Sequence, residues 1–305
     1  MVTLKSCYIT RAYYFVSVSA TSPDRKRLLL LSSLPLIIGT LIANGAVSAG
    51  TLGQQGQAHE LTIGAAVLQA AISTLVGMLV VLSLRWVLQS NRGARRLAVA
   101  LLVSPMLGFV SIFIGQSLLL VMFKGAAGVF ESVVLVLSLG VSMISIVLLL
   151  TDVIPPMLRN FFVAFYGCIF GTFLAITMVT STMIVLVLSL AIEDVALTRY
   201  NPAAHPEFMV DAVGSDPFDY TRVQSQGVTV GVGDYVTFSL VASHGFVFFP
   251  GYVWLMSVLL ALLGFAVNTL VLAEEGKSLP AIPLPALLSV FPWLVHMVTF
   301  ALLTV

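Results

Sequence analysis

Residues 179–199 read VTSTMIVLVLSLAIEDVALTR, and residues 228–249 read VTVGVGDYVTFSLVASHGFVFF. Both are apolar enough to cross a bilayer, and each carries an aspartate where hydrocarbon is expected. Asp194 lies near the end of the first, and Asp234 near the start of the second. A carboxylate at the centre of a membrane helix costs on the order of 3 kcal/mol, and such residues mark reactive sites and ion paths. Two of them on consecutive spans, toward the same end, predict a chemical pair.

The rest of the chain agrees with a membrane setting. Of 305 residues, 59% are hydrophobic and 9% charged, and the mean hydropathy is +1.08. A soluble domain carries about 25% charged residues, so this chain cannot cover a water-facing surface. Runs of about 20 apolar residues predict an all-α membrane protein of nine transmembrane helices. They lie near Leu28–Ala49, Leu61–Leu84, Leu97–Phe123, Phe130–Leu150, Asn160–Ile176, Val179–Thr198, Val228–Phe249, Tyr252–Ala273 and Leu284–Thr304. The fifth and sixth are divided at Thr177-Met178-Val179-Thr180, because one helix of their joint length would overrun the bilayer.

This gives three regions. Residues 1–27 read as a cytoplasmic or interfacial leader, residues 28–178 as five N-terminal helices, and residues 179–305 as four helices bearing the chemistry. Within the last, residues 201–227 form a cytoplasmic loop. With the N-terminus in the cytoplasm, Lys5, Arg11, Arg25, Lys26, Arg27, Arg85, Arg92, Arg95, Arg96, Arg159, Arg199, Arg222 and Lys277 all fall inside and only Lys124 outside. That asymmetry is the expected one. It puts the C-terminus outside. The loop reads as mostly solvated, with Glu207, Asp211, Asp216 and Asp219. Its end, Gln226 to Gly233, alternates Val with small or polar residues and predicts a short strand before the helix. A strand edge there is suited to pair with an extended peptide.

The expected partners are the lipid bilayer and transmembrane peptides. The net charge of +1 gives no reason to propose nucleic acid, and a homo-oligomer is compatible with the sequence. Cys7 and Cys168 form no metal or redox motif. The histidines are scattered with no His-Glu-x-x-His pattern, so neither metal nor cofactor is expected. His244 reads as an interfacial histidine. Trp86, Tyr252, Trp254 and Trp293 read as an interfacial belt. Gly115-Gln116-Ser117 reads as helix packing.

Antiparallel neighbours bring Asp194 and Asp234 to one level, each roughly 8–10 Å from its helix end at 1.5 Å per residue. Two carboxyl groups at close range share a proton. The ionised one draws a proton from water while the protonated one donates to a carbonyl oxygen. The pair then hydrolyses an amide without a covalent intermediate and titrates as a unit. Gly231 and Gly233 serve either helix packing or close approach of a substrate backbone to Asp234. Pro280-Ala281-Ile282-Pro283-Leu284-Pro285 reads first as a helix start, where proline is tolerated. A second role, lining the dyad, is also open to it.

Taken together, the helix ending in Asp194, the Gly231-Val232-Gly233-Asp234 motif and the proline turn resemble the presenilin and signal-peptide-peptidase family of intramembrane aspartyl proteases. The resemblance is firmest from about Val179 onward. The first five spans match by number and hydropathy, and the chain looks most like the compact microbial members. The resemblance implies that Asp194 and Asp234 are the catalytic pair. It also implies that Gly231, Gly233, Pro280, Ala281 and Ile282 shape the active site, in a multi-pass protein of a prokaryotic cell membrane. Two positions depart from the family pattern. Glu193 stands where a tyrosine is usual, as a modulator or alternative acid, and Ile282 replaces the leucine of the turn. The sequence leaves two rival readings: a prepilin-type aspartyl peptidase, which also carries Gly-x-Gly-Asp, and an ion- or proton-coupled transporter using the same two acids.

Overall fold

The computed structural model describes residues 22–48, 92–123, 129–199, 217–225, 228–272 and 280–304, with helical positions scattered between 64 and 83. The leader at residues 1–21 and most of the loop, residues 201–216, lie outside the described residues.

Most of the expected second span lies outside the described residues, and among those described eight continuous helices are built from the apolar runs. They are α1 (Ser22–Ser48), α2 (Arg92–Phe123), α3 (Val129–Thr151), α4 (Pro156–Thr177), α5 (Thr180–Arg199), α6 (Val232–Phe248), α7 (Gly251–Val267) and α8 (Pro283–Thr304). A π-helical turn, Asn268–Leu272, continues α7. Six of the described helical stretches are long and apolar enough to cross a membrane: Arg25–Ser48, Gly93–Leu119, Phe130–Thr151, Met157–Thr177, Gly251–Leu272 and Pro283–Leu303. The chain is an α-helical, multi-pass membrane protein. The two aspartate-bearing helices are not among the six. Glu193, Asp194 and Arg199 make α5 more polar, and α6, with 17 residues, rises roughly 26 Å, short of a hydrocarbon core of about 30 Å.

The expected break between the fifth and sixth spans is present: α4 stops at Thr177 and α5 starts at Thr180. A buried histidine closes it. The His244 Nδ1–H donates to the Ala175 carbonyl at 2.8 Å, one of the end carbonyls of α4 that has no helical partner. In that tautomer Nε2 accepts from the Thr180 hydroxyl at 3.0 Å. His244 is fully buried, which corrects the interfacial reading. Trp293 is corrected likewise: it too is fully buried and stacks on Phe249 at 5.2 Å. His244→Ala leaves a carbonyl and a hydroxyl unpaired, a cost of about 1–3 kcal/mol. The check is a lower unfolding temperature in detergent with the helix content of the native state retained.

One helix organises the rest. Every residue of α6 from Tyr235 to Gly245 is buried. Tyr235 packs into a core cluster with Val103, Tyr166, Val223 and Val230. Phe238, Leu240 and Val241 pack into a second with Met183, Val187, Ile282 and Trp293. Membrane helices gain little from burial itself, so close approach through small residues drives their association. A β-carbon built on Gly39 of α1 would stand 2.7 Å from Ser239 Cα, and one on Gly171 of α4 would collide with Ser239 Oγ and the Val236 carbonyl. Ser239 is thus gripped from two sides. Thr172 and Ser243 hydroxyls bond across α4 and α6 at 2.9 Å. Between α2 and α3, Ser104 and Ser145 bond at 2.6 Å, and Gly115 faces Val134, as its packing reading expected.

The seventh span departs from the expected single helix. Val228–Gly231 is a strand, β2, antiparallel to β1 (Arg222–Ser225), with Arg222 opposite Gly231 and Val223 opposite Val230. The β-branched Val-Thr-Val favours extended backbone, and the partner strand meets its hydrogen-bonding needs. The strand expected before this helix is therefore present, and the helix itself begins at Val232.

Candidate active site

Asp194 lies five residues before the end of α5, close to the depth expected from the sequence. Its helix sorts its faces cleanly. Leu188, Ile192 and Val195 are exposed, while Met183, Val187 and Ala191 are buried on the side that carries Asp194. The carboxyl is held from α8's approach: the Ile282 N–H donates to Asp194 Oδ2 at 2.9 Å, with the Ala281 amide beside it. The proline turn therefore both starts a helix and lines the acid. Its own position is fixed by Asn268 Nδ2, which donates to the Ala281 carbonyl at 3.1 Å, and by Gly264, where a β-carbon would stand 2.5 Å from Pro285 Cα.

Asp234 is less deep in its helix than expected. It is the third residue of α6, whose N-cap is Gly231, so it lies in the first turn and not two turns in. The strand β2 covers the remaining distance from the loop. An acid at this helix position characteristically reaches back to the N-cap amide, and the Asp234 carboxyl faces the Gly231 amide. It also lies within electrostatic range of Asp194. Asp194, near the end of α5, and Asp234, at the start of α6, thus lie within reach of each other's charge.

The glycines of the motif are not packing glycines. A β-carbon on Gly233 would meet nothing within 4 Å, and one on Gly231 would touch only Asp234 and Gly233 atoms, at 3.8 Å or beyond. Close helix contacts fall to Gly39, Gly167, Gly171 and Gly264 instead. Among the described residues, nothing closes the Gly233 side of the backbone beside Asp234.

Glu193 does not join the pair. It is half-buried and has no hydrogen-bond or ion-pair partner among the described residues. Adjacent helical residues diverge by about 100°. Toward Glu193's side of α5, the Ser189 hydroxyl bonds Thr74 at 3.3 Å and Thr182 bonds Gln69 at 3.3 Å.

A charged cluster beside the hairpin was not anticipated. Asp219, read from the sequence as a solvated loop acid, is buried in a 3-10 turn, Pro217–Thr221. It pairs with Arg222 at 2.6 Å and with Arg159 of α4 at 3.2 Å. The Tyr220 hydroxyl donates to Asp152 Oδ1 at 2.8 Å. Burial, then the bond to Asp152 and its charge, push this phenol up to about 12 against a smaller opposing effect of Arg159, so it remains a donor at neutral pH. The available signal was the Asp219-x-x-Arg222 spacing next to the strand, which places the two on one side of a tight turn. Among the described residues, no group of three or more His, Cys, Asp or Glu is arranged to hold a metal ion.

The Ile282 amide offers a direct test of the proline turn. Ile282→Pro deletes the donor to Asp194, a hydrogen bond to a charged group of about 1.5–3 kcal/mol. If the acid works in catalysis, kcat should fall about ten- to hundredfold, whereas Ile282→Ala, which keeps the N–H, should fall much less. Steady-state assays of the pair check this. Equal losses would make the side chain, not the amide, the relevant group.

No family model matches the chain, and no curated protein matches it.

Proposed function

We propose that this chain is an intramembrane aspartyl protease of the presenilin and signal-peptide-peptidase kind. In this reading it has nine spans, a cytoplasmic N-terminus and a place in a prokaryotic cell membrane. It cuts transmembrane helices or signal-peptide remnants near the cytoplasmic side. The observation that carries the reading is one arrangement: Asp194 held by the Ile282 amide, Asp234 within its electrostatic range, and open space beside Gly233.

The chemistry follows from the pair. The ionised carboxyl takes a proton from water as the water oxygen bonds to the amide carbon, and the protonated carboxyl donates to the carbonyl oxygen. The tetrahedral carbon then collapses: the C–N bond breaks, the nitrogen leaves with a proton from the now protonated carboxyl, and the other carboxylate takes back a hydroxyl proton, which restores the pair. The substrate helix must first unwind, because its amides are otherwise engaged within the helix. The hairpin beside Asp234 is suited to hold extended backbone. The orientation is supported by the arginines at this end: Arg25 at the Leu270 carbonyl, Arg96 at Asp152, and Arg159 and Arg222 at Asp219.

The test is cleavage of a single-span reporter by the purified chain in liposomes made up in H2(18)O. The expected result is a new C-terminus carrying one heavy oxygen, with no trapped covalent adduct. A folded chain that cuts no reporter, or one that cuts equally well with both aspartates replaced, would sink the reading.

A further inference from the structure

The connection into α6 ends in a charged clamp that has no part in the proton transfers above. Asp219 Oδ1 accepts twice from Arg222, from Nε at 3.0 Å and Nη2 at 2.6 Å. Its other oxygen meets Arg159 Nη2 of α4 at 3.2 Å. The next residue is held as firmly. The Arg159 guanidinium lies 5.4 Å from the centre of the Tyr220 ring, Tyr166 donates to the Tyr220 carbonyl at 2.7 Å, and the Tyr220 hydroxyl reaches Asp152 at the end of α3. Two helices thus fix the short turn that leads into β1.

The strand register carries this position to the reacting end. Arg222 pairs with Gly231, Gly231 caps α6, and Asp234 is three residues further on. One rung and one helical turn separate the clamp from the carboxyl. Asp194 is placed by a direct bond from the proline turn, whereas Asp234 opens α6 directly behind the hairpin. The clamp is largely dry, with Arg159 and Asp219 side chains 8% and 11% exposed. Salt therefore screens it weakly, and removing the carboxylate takes from Arg159 and Arg222 the counter-charge they share.

We infer that Asp219 is a positioning residue for Asp234, acting through Arg222 and its rung to Gly231. The inference rests on the protease reading for its kinetic consequence and on geometry alone for its structural one. Asp219→Asn keeps the shape and removes the charge, leaving two guanidinium groups on a neutral amide. The hairpin loosens and Asp234 spreads over more positions. A misplacement of about 1 Å costs a reaction up to roughly a hundredfold. kcat should therefore fall about ten- to hundredfold with KM nearly unchanged. Asp219→Glu should recover part of the loss. Tyr220→Phe, which loses one hydroxyl bond and keeps the ring over Arg159, should be milder.

The experiment uses the full chain in nanodiscs and reads two quantities for each variant. One is amide hydrogen exchange over residues 228–235, and the other is kcat and KM on the single-span reporter. His244→Ala is the control, since it weakens the opposite end of α6. The expected result is faster exchange over 228–235 with lower kcat in Asp219→Asn, and neither change of that size in His244→Ala. Unchanged exchange in Asp219→Asn overturns the inference, as does faster exchange with wild-type kcat. If the wild-type chain cuts no reporter, the protease reading fails, and the exchange data still decide whether the clamp places Asp234. Should Asp219→Asn not fold, Tyr220→Phe is read by the same two quantities.

Discussion

Asp194→Asn and Asp234→Asn should each lower cleavage by about 10²- to 10⁴-fold, the usual worth of a positioned general acid or base. Asparagine matches the size of aspartate, and at 194 its carbonyl oxygen can still accept from the Ile282 amide, 2.9 Å away in the native protein. The fold should therefore survive while the proton chemistry stops. The double variant should be no worse than either single one, because groups that act as a unit lose their effect together. The wild-type rate should fall on both sides of a pH optimum, since the pair works only when one carboxyl is ionised and the other protonated. The measurement is single-turnover cleavage of the reporter across pH. A single variant that retained the wild-type rate would remove that acid from the reaction and leave a transporter reading to be tested by ion flux.

The largest stability effect is expected at Gly171. Gly171→Val would drive a branched side chain into Ser239 Oγ and the Val236 carbonyl. Overpacking usually costs about 1–3 kcal/mol, and the cost here should sit at or above the top of that range, because a backbone carbonyl cannot rotate aside as a side chain can. The helix that must give way is α6, so the displacement also reaches Asp234. Gly140→Val in α3 is the matched control: a β-carbon there meets nothing within 4 Å, and its effect should stay within about 0.5 kcal/mol. Unfolding temperatures of the two variants in one detergent decide the matter. Equal temperatures would mean that α4 and α6 can part at little cost.

Several features were legible in the residues alone. The membrane class, the break at Met178 and Val179 and the strand before α6 follow from local rules: hydrocarbon thickness, helix length and β-branched alternation each act over a few residues. Asp194 and Asp234 also stand out in the sequence, because a charge in an apolar run is conspicuous whatever surrounds it. The misreadings share one cause. His244 sits near a helix end and Trp293 carries a polar N–H in an apolar helix, positions read as interfacial, and only the packing of α4, α6 and α8 buries them. Asp219 looked like any loop acid until Arg159, far off in sequence, closed on it.

The sequence by itself determined that this chain is a bundle of apolar helices carrying two acids near one end, because composition and periodicity are local and survive without a fold. Only the tertiary structure decided which groups meet those acids. The Ile282 amide reaches Asp194 across 88 residues, and the hairpin sets Asp234 in the first turn of α6 rather than the second. Such meetings depend on register and crossing geometry, which arise from the packing of many side chains at once and leave no pattern in a short window of sequence.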